Sequence, residues 1–130
     1  MTENRSQGPY RVRQGTADKH FNGLTPAEHE RLTMLAEECA EVIQAVTKIQ
    51  RHGYESCNPF GPGVETNRER LLRELFDVAA VTGMISLDLP ELQDSALVDQ
   101  QVDKSLRRKL QFAHHQDEDF KEYLDVVNSL

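Results

Sequence analysis

At 130 residues the chain has room for one domain with a core of its own and not for two. Fifteen Lys and Arg against 22 Asp and Glu give a formal net charge of −7, which argues against a general nucleic-acid binder, although a bound divalent ion would still admit nucleotides. No apolar run reaches the length of a membrane span and no apolar leader opens the chain; Cys39 and Cys57 have neither metal nor disulfide-framework spacing. The expectation is a cytoplasmic protein that makes no use of a membrane.

Residues 1–23 are polar, carry Gly8, Pro9, Gly15 and Gly23, and show no sustained period. They read as a flexible N-terminal arm, with Tyr10 or Phe21 as the residue to pin it, ahead of a single domain over 24–130. Thr25-Pro26-Ala27-Glu28 then combines an N-cap Thr, Pro at the first helical position and Glu at the third, the signature of a capping box. Leu32, Leu35, Ala36, Cys39, Val42, Ile43, Val46 and Ile49 follow helical spacing, and Gly53 is placed to end the element. The helix predicted from Pro26 to Arg51 spans roughly 39 Å at 1.5 Å per residue.

Residues 53–65 are rich in Gly and Pro and read as a loop. Thr66-Asn67-Arg68-Glu69 is a second capping box, opening a helix through about Leu87, and Pro90 marks the next boundary. A third helix is expected over 95–114 from Ala96, Leu97, Val102, Leu106, Leu110 and Phe112, with the basic run Arg107-Arg108-Lys109 and with His114-His115 at its frayed end. Phe120, Tyr123, Leu124 and Val127 suggest a short final helix. No strand pattern, repeat or low-complexity tract interrupts this series. The fold class is all-α, an antiparallel helical bundle. Because residues 71–87 are apolar nearly all round, and only 38% of the chain is hydrophobic, the bundle is expected to be completed by oligomerisation as a homodimer or homotetramer.

Two acidic motifs interrupt these helices: Glu37-Glu38-Cys39-Ala40-Glu41 and Glu74-Leu75-Phe76-Asp77. Carboxylates three residues apart project from one helix face. Most such pairs are solvated surface, Glu being a good helix former. Here the neighbours argue otherwise. At about 100° per residue, Glu38 and Glu41 share a stripe with Met34 and Ala45, whereas Glu37 points with Glu30 and Lys48. Glu74 and Asp77 fall among Val78, Val81, Met84 and Ile85. An ionised carboxylate buried without a partner costs several kcal/mol or is driven neutral. Four at one site call for divalent cations, and an all-oxygen set made of Glu38, Glu41, Glu74 and Asp77 favours Mg2+, with Mn2+ as substitute, over Zn2+.

The paired motifs, with Leu35-Ala36 before the first and Leu72-Arg73 before the second, resemble the MazG-like branch of the all-α nucleoside triphosphate pyrophosphohydrolases over about Leu32 to Leu110. His52-Gly53-Tyr54, Asn58-Pro59-Phe60 and Thr66-Asn67-Arg68-Glu69 look like its small phage-encoded members. The resemblance implies Mg2+-dependent hydrolysis of a nucleoside triphosphate between the α and β phosphorus atoms. It assigns the metal to Glu38, Glu41, Glu74 and Asp77, and gives Glu37 a water-orienting role beside Glu38. Val102-Asp103-Lys104 is similar to a substrate-contacting Asn-Asp-Lys segment with Val in place of Asn, making Asp103 and Lys104 substrate candidates. Lys48, Arg51 and Arg73 are the other cations near enough in sequence to brace phosphates, although Lys48 has Glu37 and Glu41 as alternative partners on its own helix. The base pocket is expected across a subunit interface with a contribution from loop 53–65, where Tyr54, Asn58 and Phe60 either meet the base or pack the loop.

Three other readings stand beside this one. A di-iron carboxylate bundle needs Glu-x-x-His on two helices, and the chain contains none. A non-catalytic helical oligomer acting as a regulator or adaptor keeps the fold without the metal. Phosphoribosyl-ATP or a modified nucleotide keeps the chemistry and changes the substrate.

Overall fold

The computed structural model describes residues 21–61, 63–116, 120–122 and 125. It is mostly helical and, among the described residues, contains no strand: α1 covers Pro26–His52, α2 Asn67–Ile85 and α3 Ser95–Leu110, with a 3-10 turn at Pro90–Gln93. The chain divides into two compact units, Met1–Leu89 and Pro90–Leu130. The predicted arm lies outside the described residues up to position 20; Phe21 is exposed.

Both long helices begin where their capping boxes place them. Thr25 Oγ1 accepts from the Glu28 N–H at 3.1 Å and Glu28 Oε2 accepts from the Thr25 N–H at 2.6 Å. Thr66 and Glu69 repeat the exchange at 3.1 and 2.8 Å. Each cap satisfies N–H groups that the helix itself leaves open, an effect of about 1 kcal/mol per cap. At the far end of α1, Gly53 takes φ +82° and ψ 167° while its N–H donates to Ile49 O. That backbone region is essentially reserved for glycine, so Gly53 both ends α1 and sets the exit direction of the loop.

α1 and α2 pack as an antiparallel pair. Arg31, near the start of α1, clamps Asp88 just past the end of α2, with Nε–Oδ2 2.8 Å and Nη2–Oδ1 2.6 Å. Towards the other end, Arg70 Nη2 donates to Gln44 Oε1 at 2.6 Å. The loop is tied to the first turn of α2: the Asn67 N–H donates to Ser56 O, the Arg68 N–H to Tyr54 O, and Cys57 bridges to Thr66. Ala45, Val81 and Ile85 form the fully buried apolar core.

Several expectations shift. α2 stops at Ile85 instead of about Leu87, because Leu87 and Asp88 donate three residues back and the tightened turn carries Asp88 towards Arg31. α3 stops at Leu110 instead of 114 for the same kind of reason: Phe112 and Ala113 bond three residues back. Leu32, Ile43 and Val46, counted with the apolar face of α1, are exposed, as are Leu72, Leu75 and Phe76 on α2. One neighbouring helix covers only one side of each. Positions 120–122 and 125 are helical, whereas Tyr123, Leu124 and Val127 lie outside the described residues. In the second unit, Asp94 caps α3 by accepting from the Leu97 N–H at 3.1 Å. Among the described residues no helix is long and apolar enough to cross a membrane, and both cysteines are free and exposed.

Candidate metal centre

The antiparallel pairing sets Glu38 and Glu41 of α1 against Glu74 of α2. One carboxylate oxygen from each lies within 4.8 Å of the other two. Glu74 is 1% exposed and is the largest fully buried side chain among the described residues. Glu38 and Glu41 are half-buried.

The environment is hostile to three negative charges. Glu74 Oε1 has cations in reach, Arg73 Nη1 at 3.3 Å and Arg70 Nε at 3.5 Å. Its Oε2, and Oε2 of Glu38, are shut away from solvent with no hydrogen-bond donor. Burial holds the Glu74 carboxyl above its ordinary range, and a hydrogen bond with Glu41 that needs a proton between the two acids adds to this; Arg73 and Arg70 pull the other way. Burial also raises Glu38, followed by the charges of Glu41, Asp77, Glu37 and Glu74. Protons or a cation must fill this role, because a buried anion without either is not tolerated. Three converging carboxylates with two unpartnered oxygens form a hard, all-oxygen donor set, and these residues fit Mg2+ or Mn2+.

Asp77, the fourth expected ligand, is half-buried and stands outside the close trio, near enough for its charge to act on Glu38. Glu37 is exposed, as its wheel position implies, and its charge also reaches Glu38. The expected phosphate-bracing cations separate. Lys48 lines a cavity beside the loop and forms no ion pair with Glu37 or Glu41. Arg51 is exposed on the last turn of α1. Arg73 is gripped by Glu65, with Nε–Oε1 3.0 Å and Nη2–Oε2 3.2 Å, while also reaching Glu74. Asp103 and Lys104 belong to the second unit, where Asp103 pairs with Arg107 at 2.8 Å on its own helix.

In the loop, Tyr54 lies under the Arg68 guanidinium, 4.9 Å from ring centre. Asn58 Oδ1 accepts from the Phe60 N–H, and the Phe60 ring is 95% exposed. Arg70, which no motif singled out, and His52, read only within His52-Gly53-Tyr54 and given no role there, belong beside the site. Arg70 stands one turn before Glu74 and touches it, an i,i+4 relation readable from spacing. His52 shares the loop cavity with Lys48 and Arg70, a grouping created by the loop folding back. No family model, curated protein or solved structure matches this chain.

Proposed function

We propose that the protein is a Mg2+-dependent nucleoside triphosphate pyrophosphohydrolase, releasing a nucleoside monophosphate and pyrophosphate and so controlling a nucleotide pool. One observation carries the reading: Glu38, Glu41 and Glu74, three motif positions drawn from two helices, converge in a desolvated cluster with two oxygens that no donor reaches. A bare acidic surface has no reason to be built this way.

Glu38, Glu41 and Glu74 hold the ion, with Asp77 completing the set from its flank. Bound Mg2+ supplies countercharge and Lewis-acid polarisation of phosphate oxygens. Glu37 and Glu38 orient a water for in-line attack on the α-phosphorus and take its proton. The α–β P–O bond then breaks and pyrophosphate leaves with the electron pair. Such a reaction depends on positioning and charge more than on covalent help from the protein.

The exposed apolar side chains of α1 and α2, with Phe76 at 69% and Ile43 at 65%, support completion of an antiparallel bundle by a second copy. The active form in this reading is a homodimer or homotetramer in the cytoplasm, acting on a free nucleotide and not on nucleic acid or membrane.

The test is pyrophosphate release across a panel of nucleoside triphosphates, phosphoribosyl-ATP included, with and without Mg2+. Glu38→Gln and Asp77→Asn are each expected to lower the rate by about 100-fold or more with the helical circular dichroism retained. Undiminished turnover in both variants rejects the metal assignment. Absence of turnover on every substrate, with no Mg2+ binding, favours the regulatory or adaptor reading.

A further inference from the structure

Two arginines meet Glu74 on the same oxygen. Arg73 Nη1 stands 3.3 Å from Oε1 and Arg70 Nε 3.5 Å from that atom, while Oε2 is shut away from solvent with no hydrogen-bond donor. The carboxylate is therefore divided into one oxygen held by cationic side chains and one held by nothing.

The helix by itself does not produce this arrangement. Neighbours in sequence do not face each other on a helix, and Arg four places before Glu is the less favourable order of an i,i+4 pair. Each guanidinium is instead anchored from outside α2. Arg70 gives Nη2 to Gln44 Oε1 of α1 at 2.6 Å. Arg73 lays Nε and Nη2 along the Glu65 carboxylate of the loop, at 3.0 and 3.2 Å, which leaves Nη1 for Glu74. At 1% exposed, Glu74 has no bulk water to turn towards, so the two arginines decide which oxygen stays free.

We propose that Arg70 and Arg73 are positioning residues that set the ion preference of the acidic cluster: by holding Oε1 they leave Oε2 as the one Glu74 oxygen offered to a cation, which selects Mg2+ against Ca2+. The inference rests on the metal-centre reading. A carboxylate that offers a single oxygen suits a small octahedral ion that keeps several waters. Ca2+ takes six to eight oxygens and readily binds a carboxylate through both. Both ions carry two charges, so the repulsion from the arginines acts on them alike and cancels in the ratio of their affinities. The tied oxygen does not cancel.

The experiment is competition on the full chain: bound Mn2+ is displaced by Mg2+ and, separately, by Ca2+, with free Mn2+ read by electron paramagnetic resonance. The parent is expected to bind Mg2+ more tightly than Ca2+. Arg70→Gln and Arg73→Gln should each move that ratio towards Ca2+ by about tenfold, the weight of one hydrogen bond to a charged group. Arg68→Gln removes the same charge from an arginine paired with Glu55 and should leave the ratio unchanged. Circular dichroism melts show which variants fold, and Arg73, with half its side chain in solvent, supplies the decision if Arg70→Gln does not. An unchanged ratio in either folded variant overturns the role of that arginine and leaves the metal centre standing. Tighter binding of Ca2+ by the parent overturns the whole proposal in the same way. If the parent binds no Mn2+, the metal centre fails and this inference fails with it.

Discussion

Arg31 and Asp88 lie 57 residues apart in sequence and meet through two parallel hydrogen bonds that close the open end of the α1–α2 hairpin. The loop closes the other end. Between these two fixed points the helices have one register, and that register puts Glu38 and Glu41 opposite Glu74. A surface ion pair of ordinary geometry contributes little, but a bidentate Arg–carboxylate pair adds direction as well as energy.

The Arg31 guanidinium holds the Asp88 carboxyl below its ordinary value of 3.8. The folded state therefore binds fewer protons at this group than the unfolded state, and its stabilisation is present above that value and lost as pH falls through the depressed one. Asp88→Asn is expected to lower the Tm at pH 7, with the melting curves of variant and parent converging well below pH 3.8. Thermal melts followed by circular dichroism over a pH series provide the comparison.

The acidic cluster has the opposite sign. Glu38 and Glu74 titrate above 4.5 in the folded protein, so in the absence of metal the fold holds extra protons there. Stability then declines as pH rises from 4.5 through the raised values, and the full penalty is present above them. Glu38→Gln, which removes one charge, is expected to raise the Tm in EDTA at neutral pH by a few degrees. The gain should fade as pH approaches 4.5, and an unchanged or lowered Tm at neutral pH counts against a strained cluster.

On the metal-centre reading a bound divalent ion would reverse that penalty. Mg2+ at about 100 times its Kd should add about 2.7 kcal/mol to unfolding stability, with an apparent affinity that rises with pH as the ion competes with protons for Glu38 and Glu74. Differential scanning calorimetry with and without Mg2+ measures the shift, and Glu74→Gln should abolish it.

Arg73 is shared between Glu65 and the buried Glu74, and its positive charge opposes a cation at the cluster. Arg73→Gln is expected to tighten Mn2+ binding several-fold, read by electron paramagnetic resonance of free Mn2+, while the exposed pair with Glu65 contributes at most about 1 kcal/mol to stability.

Gly53→Ala tests the exit from α1. An added Cβ meets nothing within 4 Å, so crowding is not the obstacle; the φ of +82° is. The substitution should cost about 1–3 kcal/mol in urea denaturation and should loosen the cavity that the loop frames.

How far the sequence reached follows from the range of the forces involved. Helix starts were legible to the residue because capping is local: Thr25 with Glu28, and Thr66 with Glu69, carry their own partners three residues away. The ends at Ile85 and Leu110 were less so, since Asp88 turns towards a residue that sequence spacing does not identify. Glu38, Glu41 and Glu74 were readable as acids on packing surfaces. Asp77 was expected to stand with them, yet its place outside the close trio depends on how α2 is rotated against α1. The same periodicity that marks Leu32 and Ile43 as one face of a helix is silent on what covers that face. That His52 and Arg70 line one cavity was beyond reach for another reason. It needs the loop to fold back through Asn67–Ser56 and Arg68–Tyr54, contacts made by backbone atoms that every residue carries.

The bulkiest side chain sealed inside the helical pair is an acid, Glu74. Leucine there would have nearly the same volume, need no counter-ion and end the quarrel with Glu41. Any directed evolution that rewards heat resistance alone should find Glu74→Leu early, and on the metal-centre reading the hardier descendants would have given up a ligand for that resistance.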